Sequence, residues 1–155
     1  MAQRATPRTP RLTAHPLKAF ERGALSTALS KAHLPTGGVE TPGYLFWRFE
    51  TADDVPVGFG GLEIHGTDAL MRSIVILPPL RGRGIGAAIV SLLESEAALH
   101  GCRAIWLLTA TASSFFAQLG YAKCDRAVVP EKIRATGEFA ALCPASAEVL
   151  LKRFA

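Results

Sequence analysis

The chain has 155 residues, 49% of them hydrophobic and 19% charged, and a formal net charge of +4. That size makes one domain with a real core, and the composition excludes disorder. The mild, dispersed charge suits a small anionic ligand without demanding nucleic acid; no segment is long enough to span a membrane, no signal-peptide core opens the chain, and 3 cysteines without a CxxC pair exclude a disulfide framework or a zinc ribbon and leave a reducing cytoplasm as the default.

Residues 1–10 mix turn formers with arginines, carry no acid, and read as a mobile leader to a single domain over 11–155. Arg11–His15 predicts a short first strand. Pro16 sits where a helix starts, and Leu17, Phe20, Ala24, Leu25, Ala28 and Leu29 recur at helical spacing as a core face until about His33, before Leu34-Pro35. Thr36–Gly43 is a loop. Tyr44–Glu50 is a strand, Thr51–Val55 a hairpin turn around Asp53-Asp54, and Pro56–His65 the next strand. Its glycines at 58, 60 and 61 predict a bulge or a close neighbour. Gly66-Thr67-Asp68 turns the chain into a third strand of this meander, Ala69–Leu77.

The meander feeds Pro78-Pro79 and then Arg81-Gly82-Arg83-Gly84-Ile85-Gly86-Ala87, which opens a helix reaching about Leu99. Strand, glycine loop and helix N-terminus together form an anion site, and a phosphate is the natural anion. Arg81 and Arg83 add two fixed charges. A P-loop is excluded, because no Lys-Ser or Lys-Thr follows. Gly82, Gly84 and Ala87 meet the dinucleotide fingerprint in form, but the next strand, Ala104–Thr109, lacks the acid that fingerprint requires. An ordinary glycine-rich turn is the plain alternative. Arg81, Gly84 and Gly86 fit a third pattern: arginine or glutamine, two residues, glycine, one residue, glycine or alanine.

Beyond the loop, Ile85, Ala88, Ile89, Leu92 and Leu93 take core spacing and Gly101 caps the helix. Arg103–Thr109 is a buried strand reached by a crossover, hence parallel to its predecessor. Thr111–Leu119 is a short helix closed by Gly120, Pro130–Leu142 another, and Glu148–Phe154 the last strand.

This third loop pattern resembles the acyl-CoA pyrophosphate loop of the GNAT acetyltransferase superfamily. A second motif agrees. Phe115-Phe116-Ala117-Gln118-Leu119-Gly120-Tyr121 is similar to the family's string of phenylalanine, tyrosine, two variable residues, leucine, glycine and phenylalanine. The resemblance covers roughly residues 11 to 155. It implies an α/β GNAT fold, a splayed mixed sheet with helices on both faces, and acetyl-CoA as cosubstrate. By position, backbone groups of Val75 and Ile76 would pair with pantetheine. The amides of Arg81, Gly82, Arg83, Gly84, Ile85 and Gly86 would hold the pyrophosphate, and Ser114 and Phe115 would touch the pantetheine or adenosine end. The position where the family's tyrosine protonates the departing thiolate is Phe116, which has no proton to give. A narrower resemblance, carried by the loop, by residues 107–112 and by residues 139–147, is to the small N-acetyltransferases of bacterial arsenic-resistance operons. Some of those acetylate arsinothricin or phosphinothricin, which are glutamate-like amino acids.

A base must take a proton from the acceptor ammonium. Glu63 is the first candidate, on one strand face with His65; the alternative is a structural pair with Arg72, which a two-residue turn would set opposite it. The strand at 69–77 has none of the carboxylates many family members carry there. Cys124 and Cys143 invite an arsenical, against the ordinary reading of free cysteines as buried hydrophobes; no metal is expected. Arg72, Arg126 and Arg134 are the cations available to a substrate carboxylate. The expected function is acetyl transfer to a small-molecule amine, with no nucleic-acid or membrane partner and with a homodimer left open. Peptide N-acetylation and a non-catalytic CoA-binding sensor are the alternatives.

Overall fold

The computed structural model describes residues 10–78, 84–139 and 147–154. Seven strands form one sheet: β1 (Leu12–Pro16), β2 (Leu45–Thr51), β3 (Pro56–His65), β4 (Asp68–Ile76), β5 (Ala104–Thr109), β6 (Ala122–Cys124) and β7 (Glu148–Arg153). Their order is β1-β2-β3-β4-β5-β7-β6, and among these pairs β4 with β5 is parallel while the others are antiparallel. The sheet is accompanied by the α-helices α1 (Arg22–Lys31), α2 (Ile85–Leu99), α3 (Ser113–Gln118) and α4 (Glu131–Arg134). This is the expected mixed sheet, and α2 is the crossover that makes β5 parallel to β4. Among the described residues no helix is long and apolar enough to cross a membrane.

Alternation along the strands sorts the core onto two faces. On one, Leu62, Ala69, Met71, Ile105 and Leu107 pack against Ile85, Ile89 and Leu93 of α2 and Phe116 of α3. On the other, Phe46, Phe59 and Val75 meet Leu25 and Leu29 of α1, while Leu70, Trp106 and Val149 meet Ile133 of α4. Two glycines of β3 let α2 lie close. A Cβ at Gly60 would stand 2.8 Å from Leu93, and one at Gly58 would stand 2.4 Å from the carbonyl of Val75. Gly61 serves the opposite face, where a Cβ would run into the Phe46 ring at 2.4 Å. The bulge lies on the partner strand: Phe59 pairs with Val75 and Gly61 with Arg72, so β4 carries the extra residue.

Two expectations near the N-terminus are corrected. Pro16 ends β1 opposite Trp47, and Leu17 extends that contact by donating to the Phe46 carbonyl at 2.8 Å. The helix proper starts only at Arg22, after a 3-10 turn at Ala19–Glu21 whose entry is fixed by the Lys18 amide donating to Glu21 at 3.0 Å. Phe20 falls in that turn and is 82% exposed, so it is no part of the core stripe. The helix expected over Pro130–Leu142 is broken: α4 is a single turn, Ala135 and Thr136 leave it, and residues 137–139 turn helical again. The Thr136 hydroxyl donates to the Ile133 carbonyl at 2.7 Å and so satisfies a helix end there. Residues 140–142, like leader residues 1–9, lie outside the described residues.

Candidate active site

The parallel ladder between β4 and β5 is short. It joins Asp68, Ala69 and Leu70 to Ala104, Ile105 and Trp106 and goes no further, although β4 continues to Ile76 and β5 to Thr109. The two strands therefore part and leave a cleft between their C-terminal halves. The opening begins beside the bulge. Ser73 has φ of 59°, a left-handed conformation that a non-glycine residue adopts at a cost of roughly 1–2 kcal/mol. Its effect is to re-aim the backbone beyond it. Leu77 donates to the Val57 carbonyl at 2.9 Å, so alternation directs the backbone groups of Leu77 and Val75 toward β3 and those of Ile76 toward the cleft. Of the two residues assigned to a backbone contact, then, Ile76 faces the cleft, whereas Val75 is turned to β3 and buries its side chain on the α1 side.

The N-terminus of α2 closes the end of this cleft. Gly84 precedes the helix with φ of 75°, a conformation natural to glycine. Gly86 is buried in the first turn, where a Cβ would stand 3.0 Å from the Phe115 ring and 3.2 Å from Ile76. Ile76, Gly86 and Phe115 thus meet at one point, and a side chain at 86 would fill it. Phe115 remains 36% exposed beside them. Ile85 turns its side chain into the core, and Ser114 is exposed on α3. Arg81, Gly82 and Arg83 lie outside the described residues. The parting of the two strands, a glycine-bared helix N-terminus and a half-exposed aromatic ring suit an extended chain ending in phosphates, so the residues present fit coenzyme A.

A polar cluster sits on the other face of β3 and β4, between the core patches of α1 and α4. Glu63 is fully buried and accepts from Arg72 Nη1 at 2.6 Å; His65 Nε2 lies 3.3 Å from its other oxygen. The structural pairing is thus present, but not directly across the hairpin. Glu63 stands opposite Leu70 and Arg72 opposite Gly61, so the pair is diagonal, and the missing side chain at 61 leaves the route open. Arg72 also donates through Nη2 to the Gly37 carbonyl and through Nε to Ser73 Oγ at 3.2 Å. Its guanidinium lies 5.6 Å from the Tyr44 ring centroid. Tyr44 has its pKa raised by burial, then by the negative charge of Glu63 and a hydrogen bond to it.

Glu138, which carries no sequence signal, joins this cluster. It is 9% exposed, and its pKa is pushed up to about 7 by burial, with Arg72 opposing and Glu63 adding to the rise. The other arginines do not join. Arg126 donates to the Ala147 carbonyl at 2.8 Å and stacks over Phe139, and Arg134 is exposed on α4.

Among the described residues around Phe116, the hydroxyls of Tyr121 and Ser113 are engaged by carboxylates. Phe116 is buried and packs edge-on against Phe115 and Tyr121. Tyr121 donates to Glu94 of α2 at 2.9 Å, and burial, followed by the Glu94 charge, drives its pKa strongly upward. Ser113 donates to Glu148. Burial raises the Cys124 thiol as well, which opposes the thiolate an arsenical would need. Cys143 lies outside the described residues, and among those described no cluster of histidine, cysteine or carboxylate side chains could hold a metal.

Known proteins share this fold. The model of the acetyltransferase (GNAT) family matches residues 14–124. An uncharacterized N-acetyltransferase of Chlorobaculum tepidum is 32% identical over 65 residues, which are 42% of this chain and 41% of that protein. The fold is shared with Rv2747 from Mycobacterium tuberculosis, solved with CoA and NLQ, at a TM-score of 0.72 and 20% identity over 94% of this chain and 100% of that one. It is shared also with N-acetylglutamate synthase from Neisseria gonorrhoeae, solved with coenzyme A and L-arginine, at 0.73 and 12% identity over 94% of this chain and 34% of that one. The ribosomal-protein-S18-alanine N-acetyltransferase from Escherichia coli matches at 0.69 and 16% identity over 94% and 95%. With the family model covering more than half its length, the chain belongs to the acetyltransferase (GNAT) family, enzymes that take their acyl group from acyl-CoA.

Proposed function

We propose that this protein moves the acetyl group of acetyl-CoA to the amine of a small molecule. The observation that carries the reading is the meeting of two unlike sites at the Ser73 bulge. The cleft between β4 and β5 suits the cosubstrate. The buried polar cluster of Glu63, His65, Arg72 and Tyr44, on which the charge of Glu138 acts, suits an ammonium. Acetyl-CoA supplies an activated thioester. The backbone of Ile76 orients it along the strand edge, and the α2 N-terminus with Gly84 and Gly86 takes the phosphates, together with Arg81, Gly82 and Arg83. Holding amine and thioester side by side is the main source of rate. The amine loses a proton, its lone pair forms the new C–N bond, and the C–S bond breaks. Glu63 is enclosed, with both oxygens engaged, so a proton from the amine passes outward through His65, which is 23% exposed.

The finer class, arsinothricin- or phosphinothricin-like amino acids, would bring its carboxylate to Arg72, which is held by Glu63, Gly37 and Ser73. It asks Arg72 to exchange Glu63 for a substrate carboxylate. The test is release of CoA from acetyl-CoA over a panel of alkylamines, amino acids and phosphinothricin. Turnover with any amine supports the enzyme reading, and no turnover with any of them overturns it. If phosphinothricin is a substrate, Arg72→Lys should raise its KM far more than that of acetyl-CoA.

A further inference from the structure

Among the described residues, two buried side-chain atoms lack a hydrogen-bond partner: Arg22 Nε and Glu138 Oε2. Arg22 spends its other nitrogens on the carbonyls of Val39, Thr41 and Tyr44, so its loss is small. A buried carboxylate with a bare oxygen is a different matter, because burying a charge is unfavourable unless something answers it.

The backbone around Glu138 is held on both sides. Thr136, itself buried, ties to the Ile133 carbonyl and accepts from the Phe139 amide at 3.4 Å. Phe139 packs in the α4 core patch beneath Arg126. Inward of these pins, the charge of Glu138 acts on Arg72 of β4, on Glu63 of β3 and on Tyr44 at the entrance to β2. His65 stands beyond Glu63. Arg72 is committed to Glu63, Gly37 and Ser73. The cluster therefore sets two buried carboxylates against one guanidinium, with His65 at its edge.

We propose that Glu138 is the anionic wall of an acceptor-ammonium subsite, and that the partner of its Oε2 is the protonated amine of a monocationic substrate. The proposal rests on the reading of the protein as an amine acetyltransferase. A metal cation is disfavoured by the lack of further ligands. A neutral hydroxyl would leave the charge unanswered. A zwitterionic amino acid brings its own carboxylate next to two others, and the guanidinium that could receive it is already engaged. The preferred class is thus a primary amine without a carboxylate. Half-charged near neutrality, Glu138 completes its ionisation as the cation arrives.

The test uses the full chain saturated with CoA at pH 7.5, with n-butylamine as probe, n-butanol as its neutral control and L-glutamate as the zwitterion. Butylamine should raise the melting temperature by about 2–4 °C, and butanol and glutamate should not. Glu138→Gln should keep the response to CoA and lose the response to butylamine, while Glu138→Asp should retain part of it. The idea is overturned if butylamine has no effect on the wild type, if the Gln variant responds as the wild type does, or if glutamate matches butylamine. The two readings fail separately. A butylamine response without any CoA-releasing turnover keeps the subsite and removes the enzyme. Turnover that Glu138→Gln leaves unchanged in KM for the amine keeps the enzyme and removes the subsite.

Discussion

The two faces of β3 and β4 solve opposite problems with the same strands. Toward α2 the sheet is apolar and stripped of side chains: Gly58, Gly60 and Gly86 let helix, strand and Phe115 approach to contact. Toward α1 and α4 the same strands bury Glu63, Arg72 and, from the next layer, Glu138. The first face gains its shape by leaving atoms out. The second keeps charged groups in a place where each needs a partner. Shape built by glycine tolerates almost no added atom, whereas a charge cluster tolerates replacement as long as its balance survives. Different mutations should therefore damage the two faces.

The largest effect is expected on the charged face. Arg72→Ala leaves Glu63 and Glu138 buried without their cation and should cost about 3–5 kcal/mol of stability in urea unfolding. Arg72→Met combined with Glu63→Gln should cost markedly less, because the imbalance is removed with the pair. If the double variant is as damaged as Arg72→Ala, shape and not charge governs this face.

The next effect is a pH dependence. Glu138 has its folded pKa raised from an ordinary 4.5 to about 7, so folding favours its protonated form. Its contribution to stability is complete below about pH 4.5 and is lost as pH rises through about 7, a decline of roughly 3 kcal/mol. Burial sets most of that decline, the Arg72 charge reduces it and the Glu63 charge adds to it. Urea melts between pH 4.5 and 8.5 should show a shallower fall for Glu138→Gln than for the wild type. Parallel curves would mean that Glu138 is solvated.

On the glycine face, Gly84→Glu puts a β-carbon where φ is 75° and an anion where phosphates should lie. At 100 times Kd, acetyl-CoA stabilises a binding protein by about 2.7 kcal/mol, and this variant should lose that gain entirely. Gly86→Ala, with its new methyl 3.0 Å from Phe115, should lose a part of it. Wild-type melting shifts in both variants would move the cosubstrate away from this loop.

The same contrast separates what the sequence tells from what it hides. The bounds of β3, the Gly66-Thr67 turn, α2 and the parallel placement of β5 follow from local period and punctuation, and so does the glycine-based closeness of α2. Pro16 misled because proline is as much at home at a strand end as at a helix start. Phe20 misled because one 3-10 turn rotates a residue off the helical stripe. The bulge at Ser73 has no local signature, since it is imposed by the pairing of Phe59 and Gly61 across the ladder. Glu138 is farther still from legibility. It meets Arg72 and Glu63 only through the fold, and nothing beside it in the chain distinguishes it from a surface glutamate.

The smallest effect is expected where the family's usual acid is missing. By the motif resemblance Phe116 takes the place of the family's tyrosine; it is buried against Phe115 and Tyr121, and the nearby hydroxyls are occupied: Tyr121 by Glu94 and Ser113 by Glu148. Coenzyme A is a moderately good leaving group as a thiolate, so an acid helps without being required. Phe116→Tyr should change the turnover number by no more than about threefold, upward if at all, because one general acid contributes far less where the leaving group is already stable. Tyr121→Phe should leave turnover intact while costing about 1.5–3 kcal/mol of stability, the worth of a hydrogen bond to a charged carboxylate. The two variants read opposite quantities, and that is their use. A Tyr121→Phe enzyme that unfolds as the wild type does but turns over a hundredfold more slowly would make Tyr121 the acid after all, and Glu94 the group that holds its proton.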